Sequence, residues 1–349
     1  METPEAIAWV DGLFASIGLE HGRRSTRSGT WADGFRVKPP KSSPGKLPVS
    51  RKAPGIERVP GWEKYSWLNA GFSTRLNGAS TIYNYDDRGE LNLGWNGEDS
   101  VEAVAENRRR FVKAIGGKQA GELVTIRQTH TPIVQVIGAE HTALCTAEGK
   151  AVLRGDAMVT RQKGLLLGVQ TADCVPVLIA DTKKRVVAAF HAGWRGTLAR
   201  IVERGVGTMR LQFGSRPQDL VAAIGPSIGS CCYSVGEEVK FEFDSQFAYA
   251  PKLFSEVYDS DPVRDKYPLL FLTARAPGHS PIGPQIHLDL QEANRRQLLD
   301  AGLSAKKITV MGECTACTRL PNGNRKYFSH RGESGFTGRM LSVIGVQQD

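Results

Sequence analysis

The segment Thr171-Ala-Asp-Cys-Val-Pro-Val-Leu-Ile-Ala-Asp-Thr-Lys-Lys-Arg-Val-Val-Ala-Ala-Phe-His-Ala-Gly-Trp-Arg-Gly196 concentrates the residues best suited to chemistry. Two apolar runs flank Asp181-Thr182-Lys183-Lys184, which predicts a β-hairpin. A tight turn pairing Asp181 with Lys184 would set Cys174 directly opposite His191 on one face, Cα atoms roughly 4.5–5.5 Å apart. The register thus brings a soft thiolate and an imidazole to one spot. His130, at the end of the run Gly121–His130, is the third candidate. A His–Cys–His set leaves one coordination position open, the pattern of catalytic Zn2+, because structural zinc is usually closed by four protein ligands. Cu2+ also accepts imidazole and thiolate. The same pair supports a different chemistry, a cysteine hydrolase with Cys174 as nucleophile and His191 as base.

Further candidates lie around this core. His191 opens the turn His-Ala-Gly-Trp-Arg-Gly, which leads into a helix near Thr197. Gly193 and Gly196 permit close backbone approach there, and Arg195 adds a guanidinium suited to phosphate or carboxylate. Cys314 and Cys317 form a C-x-x-C, but a zinc ribbon needs a second such pair and Cys231-Cys232 has the wrong spacing. A packing role is expected for them. Arg331 and Arg339 read as loop arginines for anion or backbone contacts.

The elements that must position these groups are short. Residues 121–130, 163–170, 175–181 and 185–191 are β-branched or aliphatic runs bounded by turn residues, and predict strands. Helical spacing marks 101–116, 197–213 and 288–302, the last ending at Gly302. Strands and helices do not alternate strictly, so an α+β fold of layered mixed β-sheets flanked by helices is expected. Residues 1–20 carry Ile7, Val10, Phe14 and Ile17 at the spacing of a short amphipathic helix. Residues 21–61 lose periodicity and gather Pro, Ser, Gly, Arg and Lys, which predicts a basic, disordered linker. The catalytic domain is expected over 62–349.

Bulk properties narrow the class. The 40% hydrophobic and 23% charged composition is that of a globular protein. No apolar run approaches the ~20 residues of a membrane-spanning helix. The start, Met-Glu-Thr-Pro-Glu-Ala-Ile-Ala-Trp, lacks the basic n-region of a secretory signal. Six cysteines in 349 residues are too sparse for a disulfide scaffold, so thiols in a reducing cytoplasm are expected. Of the net charge of +9, most falls between Arg23 and Arg58, with ten Lys or Arg against two acids. The remainder is close to neutral, which argues against a specific nucleic-acid face. No membrane partner is expected.

Beyond residue 62 the chain resembles a known family. The resemblance rests on WLNAGFSTR (67–75), LNLG (91–94), ENRRR (106–110), QTH (128–130) and GDAMVT (155–160). It continues through TADC, HAGWRG, AIGPSIGSCCYSVGEEV (223–239), LDLQEAN (288–294), GECT, FSHR and TGRM (337–340). These motifs are similar to those of the YfiH-like, or laccase-domain multicopper polyphenol oxidoreductase-like, proteins. The resemblance implies a fold similar to the cytotoxic necrotizing factor catalytic domain, with His130, Cys174 and His191 as a metal-binding catalytic trio. It implies phosphorolysis of adenosine, inosine and methylthioadenosine, with adenosine deamination, so that nucleoside and phosphate are the partners. Arg75 and Arg195 then become candidates to hold phosphate, and Asp173 to orient a ligand, shuttle a proton or stabilise its turn. The family also carries the labels polyphenol oxidase and cysteine hydrolase, the latter with a role in editing peptidoglycan precursors. A multicopper oxidase needs many more histidines than the seven present. Two departures stand out: Asn77-Gly78 replaces a family Gly-Gly, and Gly332 replaces a second arginine after Arg331.

Overall fold

In the strand Val175–Asp181 every residue is buried, so both faces must be covered. Val175, Val177 and Ile179 face one apolar core, and Leu178 and Ala180 face another. Helices cover the first face and a second β-sheet the second. The computed structural model describes residues 49–83, 89–138, 151–257 and 285–348. The helix expected over 1–20, and the linker up to residue 48, lie outside the described residues.

The central sheet has six strands in the order Ile308–Val310, Leu220–Ile224, Val175–Asp181, Val187–Ala192, Ala157–Thr160 and Val134–Val136. The second has five, ordered Ile56–Glu57, Leu68–Ser73, Met340–Val346, Leu165–Thr171 and Glu122–Thr125. Both mix parallel and antiparallel pairs. Between them Phe72, Leu167, Val169 and Ile344 pack against Met158, Leu178, Ala189 and Ala223. A three-stranded sheet, Ser234–Val235, Gln285–Leu288 and Phe254–Val257, completes the set.

Helices close the outer faces. Val101–Gly116 lays Phe111 and Ile115 on Leu166 and Val343 of the five-stranded sheet, and the Ser100 hydroxyl caps its first turn. Ile201–Phe213 and Leu290–Asp300 lay Val202, Met209, Ala293 and Leu298 on the six-stranded sheet. Each such aliphatic burial contributes about 1.5–3 kcal/mol before chain entropy. The helix expected over 197–213 is two pieces, Trp194–Leu198 and Ile201–Phe213, because Arg200 between them takes a left-handed conformation at φ 59°. The architecture is the layered α+β arrangement.

Two expectations need revision. Ile56–Glu57, inside the segment read as linker, pairs with Phe72 and Ser73, and the Arg110 guanidinium donates to the carbonyls of Ser50 and Lys52. The domain therefore starts ahead of Trp62. The hairpin register also differs from the tight-turn expectation. Val175 pairs with Ala192 and Pro176 with His191, so the strand-facing partner of Cys174 is Gly193. Asp181 accepts from the backbone N–H groups of Lys183 and Lys184, and Arg185 turns at φ 53°, which makes a longer loop. The shift is two residues. Cys174 and His191 become diagonal neighbours, still on one face, because side chains alternate with period two.

Candidate metal centre

The site lies where the chain crosses between the two large sheets. Leu165–Thr171 ends in the five-stranded sheet, a bend at Ala172–Cys174 follows, and Val175 enters the six-stranded sheet. Asp173 makes that bend at φ 95°. His191, near the end of the antiparallel neighbour, reaches the same rim, and His130 arrives from the turn beyond Glu122–Thr125 at φ 59°. Positive φ in two non-glycine residues at one place marks a backbone held by its surroundings. The ligand atoms of His130, Cys174 and His191 lie within 4.8 Å of one another. Cys174 Sγ is 3.9 Å from His130 Nε2, and the imidazoles meet edge to face at 4.9 Å between centroids.

One carboxylate holds this arrangement together, and the sequence did not single it out. Asp156, fully buried, accepts from His191 Nδ1 at 2.8 Å and from the His130 N–H at 3.0 Å through Oδ1. Its Oδ2 accepts from Thr129 N–H, Thr131 N–H and the Thr131 hydroxyl at 3.1, 2.7 and 2.9 Å. The same residue thus orients one imidazole and ties the turn that carries the other. Burial works against ionisation of Asp156, but the His191 bond and these N–H donors outweigh it and hold the carboxyl well below its ordinary range. Burial likewise opposes a thiolate at Cys174, yet the charge of His191 and the bond to His130 bring it down to about 6. Burial opposes charge on His191 too; the thiolate and Asp156 prevail and raise it to about 9.

The residues present fit a metal ion. With Nδ1 committed to Asp156, His191 turns Nε2 toward the sulfur, the carboxylate–histidine–metal relation that fixes a ligating tautomer. A soft thiolate with two imidazoles suits zinc, and copper by ligand type. Gly193 leaves the necessary room: a Cβ there would stand 3.0 Å from Cys174 Sγ and 3.1 Å from His130 Cδ2.

The trio opens into a cavity of about 1040 Å³. Arg127, Arg154, Arg195, Arg331 and Arg339 line it, against one carboxylate among the described residues, Asp173. Arg195 is exposed and stacks over Trp194 at 4.2 Å. Asp173 is buried, with its carboxylate committed to the protein: Oδ1 accepts from the Thr315 and Ser329 hydroxyls at 2.6 and 2.7 Å, Oδ2 from the Arg331 N–H at 2.7 Å. The structure does not bring Arg75 to this cavity. Its guanidinium is buried between Glu90 and Glu333, at 2.7 and 2.9 Å, so it serves as a scaffold in place of the expected phosphate contact. Arg339 donates to the Thr337 and Gly338 carbonyls, and Arg331 to Ser234. Arg127 and Arg154 directly precede the motifs QTH and GDAMVT, and sequence reasoning missed them because it is their pairing with each other in one isolated parallel bridge that sets them side by side on the cavity wall.

A layered α+β domain with a thiolate–imidazole site at the sheet rim is the class these observations define. The chain belongs to the multi-copper polyphenol oxidoreductase laccase family, whose sequence profile matches residues 69–347. It is 30% identical over 306 residues to purine nucleoside phosphorylase YlmD of Bacillus subtilis, covering 86% of this chain and 98% of that one. It is 37% identical over 229 residues to adenosine deaminase RL5 of an unknown prokaryotic organism, covering 65% and 76%. The crystal structure of YfiH from Bacillus licheniformis superposes with a TM-score of 0.69 at 29% identity, over 86% of this chain and 99% of that one. Among the described residues no helix is long and apolar enough to cross a membrane.

Proposed function

We propose that this chain is a metal-dependent purine nucleoside phosphorylase, with adenosine deamination as a second reaction, centred on zinc held by His130, Cys174 and His191. The observation that carries the reading is the meeting of a thiolate–imidazole ligand set with a cavity walled by arginines. Relatives named as a purine nucleoside phosphorylase and an adenosine deaminase supply the substrate class.

Arg195, with Arg127 and Arg154, binds phosphate through charge-assisted forks. Tyr233 and Trp194 offer flat faces against which a purine stacks. The cavity holds nucleoside and phosphate side by side, which converts their encounter into a positioned reaction. A phosphate oxygen then bonds to C1′ as the C1′–N bond breaks, and the purine leaves with the proton that phosphate gives up. In deamination, water replaces the amino group at C6 and ammonia departs. Zinc supplies Lewis-acid polarisation to either reaction. Asp156 keeps its proton partner on His191 Nδ1 throughout, and Asp173 fixes the bend that aims Cys174.

Asp156, His191 and Cys174 also form the chain of contacts a cysteine hydrolase requires, which is the specific ground for a second reading, an amidase acting on peptidoglycan precursors. One experiment separates the two. Purified protein is given adenosine with and without phosphate, before and after chelation and zinc readdition, and products are resolved by chromatography. Phosphate-dependent adenine and ribose 1-phosphate, lost on chelation and in Cys174→Ala, is the expected result. No nucleoside product from zinc-replete protein, or turnover by metal-free Cys174→Ala, overturns the proposal.

A further inference from the structure

Sequence spacing sets Cys231-Cys232 and Cys314-x-x-Cys317 apart as unrelated pairs, but the fold joins them. Leu220–Ile224 and Ile308–Val310 run parallel as neighbours, so the loops that follow them leave the sheet together. Ser227 and Cys314 continue the pairing as a parallel bridge, with Thr315 N–H donating to the Ser227 carbonyl at 3.0 Å. A turn at Gly229–Tyr233 then presents the vicinal cysteines to the C-x-x-C turn. All four sulfur atoms fall within 4.8 Å of one another, and Cys231 Sγ is 3.6 Å from Cys317 Sγ.

We propose that Cys231, Cys232, Cys314 and Cys317 form a second metal site, a tetrathiolate zinc centre that staples a loop of the cavity wall to the loop that buttresses Asp173. Zinc–sulfur bonds of ~2.3 Å in a tetrahedron require sulfurs roughly 3.8 Å apart, close to the observed spacing. Four sulfurs this close enclose one ion and leave no room for a polynuclear iron–sulfur cluster. The Cys314 sulfur already accepts the Gly229 N–H at 3.2 Å, and the Ala316 and Cys317 amides point at it. Amides converging on sulfur are the surroundings of a thiolate ligand. Cys314 is buried while Cys231 and Cys317 are exposed, so an ion has a path from solvent.

The centre lies outside the trio but bears on it. The loop carrying Cys231 also carries Ile228 and Tyr233 of the cavity wall, and Ile228 N–H donates to the Asp173 carbonyl. The Cys314 loop carries Thr315, whose hydroxyl bonds the Asp173 carboxylate. Zinc here would clamp the two loops that hold the bend before Cys174.

The test uses the full chain bearing Cys174→Ala, which removes the trio as a metal site, purified without oxygen and loaded with Co2+ as a spectroscopic probe. One cobalt per chain is expected, with thiolate-to-cobalt charge transfer and tetrahedral ligand-field bands that zinc abolishes. Adding Cys317→Ser should weaken and shift those bands. On the unmutated chain, alkylation read by mass spectrometry should find the four thiols protected with zinc and reactive after chelation, a reading that needs no variant to fold. A Cys174→Ala chain that holds no metal, bands indifferent to Cys317→Ser, or a Cys231–Cys317 disulfide in reduced preparations overturns the assignment. Failure of zinc at the trio would leave this signal intact, so the two readings fail separately.

Discussion

Replacing Asp156 by Asn tests whether the trio is organised as a metal site. The two carboxylate oxygens do different work: Oδ2 takes three donors from Thr129 and Thr131, and Oδ1 takes the His130 N–H and His191 Nδ1. An amide has one acceptor to give. It will face its oxygen to the three donors, which turns its NH2 toward His130 N–H and His191 Nδ1. His191 must then accept at Nδ1 and carry its proton on Nε2, the atom zinc needs. Losing such an outer-shell partner costs about 10–100-fold in metal affinity. Because the tautomer is reversed here, the upper end applies: roughly 100-fold, or about 2.7 kcal/mol. The His130 N–H left facing a donor should cost about 1–3 kcal/mol of stability.

Zinc affinity by competition with a chelating dye, beside a denaturant titration, reads both terms. Because Asp156 touches no substrate, saturating zinc should restore most of the turnover. A folded Asp156→Asn chain that binds zinc within threefold of the parent would refute the account of the site. So would a turnover defect that excess zinc leaves unchanged.

Gly193→Ala should strip the trio of zinc without unfolding the chain, since its φ of −71° suits alanine while its Cβ enters the ligand space; zinc-to-protein stoichiometry decides it. In metal-stripped protein the Cys174 thiol ionises at about 6, so its alkylation rate should rise through pH 6 and then level off. An ordinary thiol would still be gaining thiolate at pH 8, and that behaviour would remove the ion pair. Arg75→Met removes the buried cation from between the half-buried carboxylates of Glu90 and Glu333 and should cost about 1–3 kcal/mol in denaturation, with the phosphate KM of the surviving fold unchanged. Arg195→Ala should raise the phosphate KM about 10–100-fold, the worth of a charge-assisted bond of about 1.5–3 kcal/mol; an unchanged KM would move the anion elsewhere in the cavity.

What the sequence disclosed was set by local rules. The helix Val101–Gly116 could be read to its ends because its cap and its apolar spacing lie within one window. The hairpin was legible in face but not in register. Asp181 closes its loop with side-chain bonds to the Lys183 and Lys184 amides, and Arg185 takes a left-handed turn without glycine. That loop adds two residues, and an even shift keeps Cys174 and His191 on one face. An odd shift would have sent His191 to the other side of the sheet. Arg75 shows the opposite limit, since Glu333 comes from the far end of the chain and no local spacing rule ties Arg75 to Glu90.

The two cysteine pairs extend that point. Spacing rules for zinc motifs count residues within a loop, and they hold where one loop supplies the geometry. Here the geometry comes from the sheet. Parallel pairing of Leu220–Ile224 with Ile308–Val310 fixes where both loops begin, and the bridge at Ser227 and Cys314 carries the register outward to the sulfurs. Asp156 follows the same logic: it precedes the strand Ala157–Thr160, whose antiparallel neighbour delivers His191 and whose parallel neighbour begins just past Thr131. Chemistry in this protein is therefore assembled at strand ends by sheet neighbours. A residue's role follows from which strand lies beside its own, and a single strand's sequence does not state that.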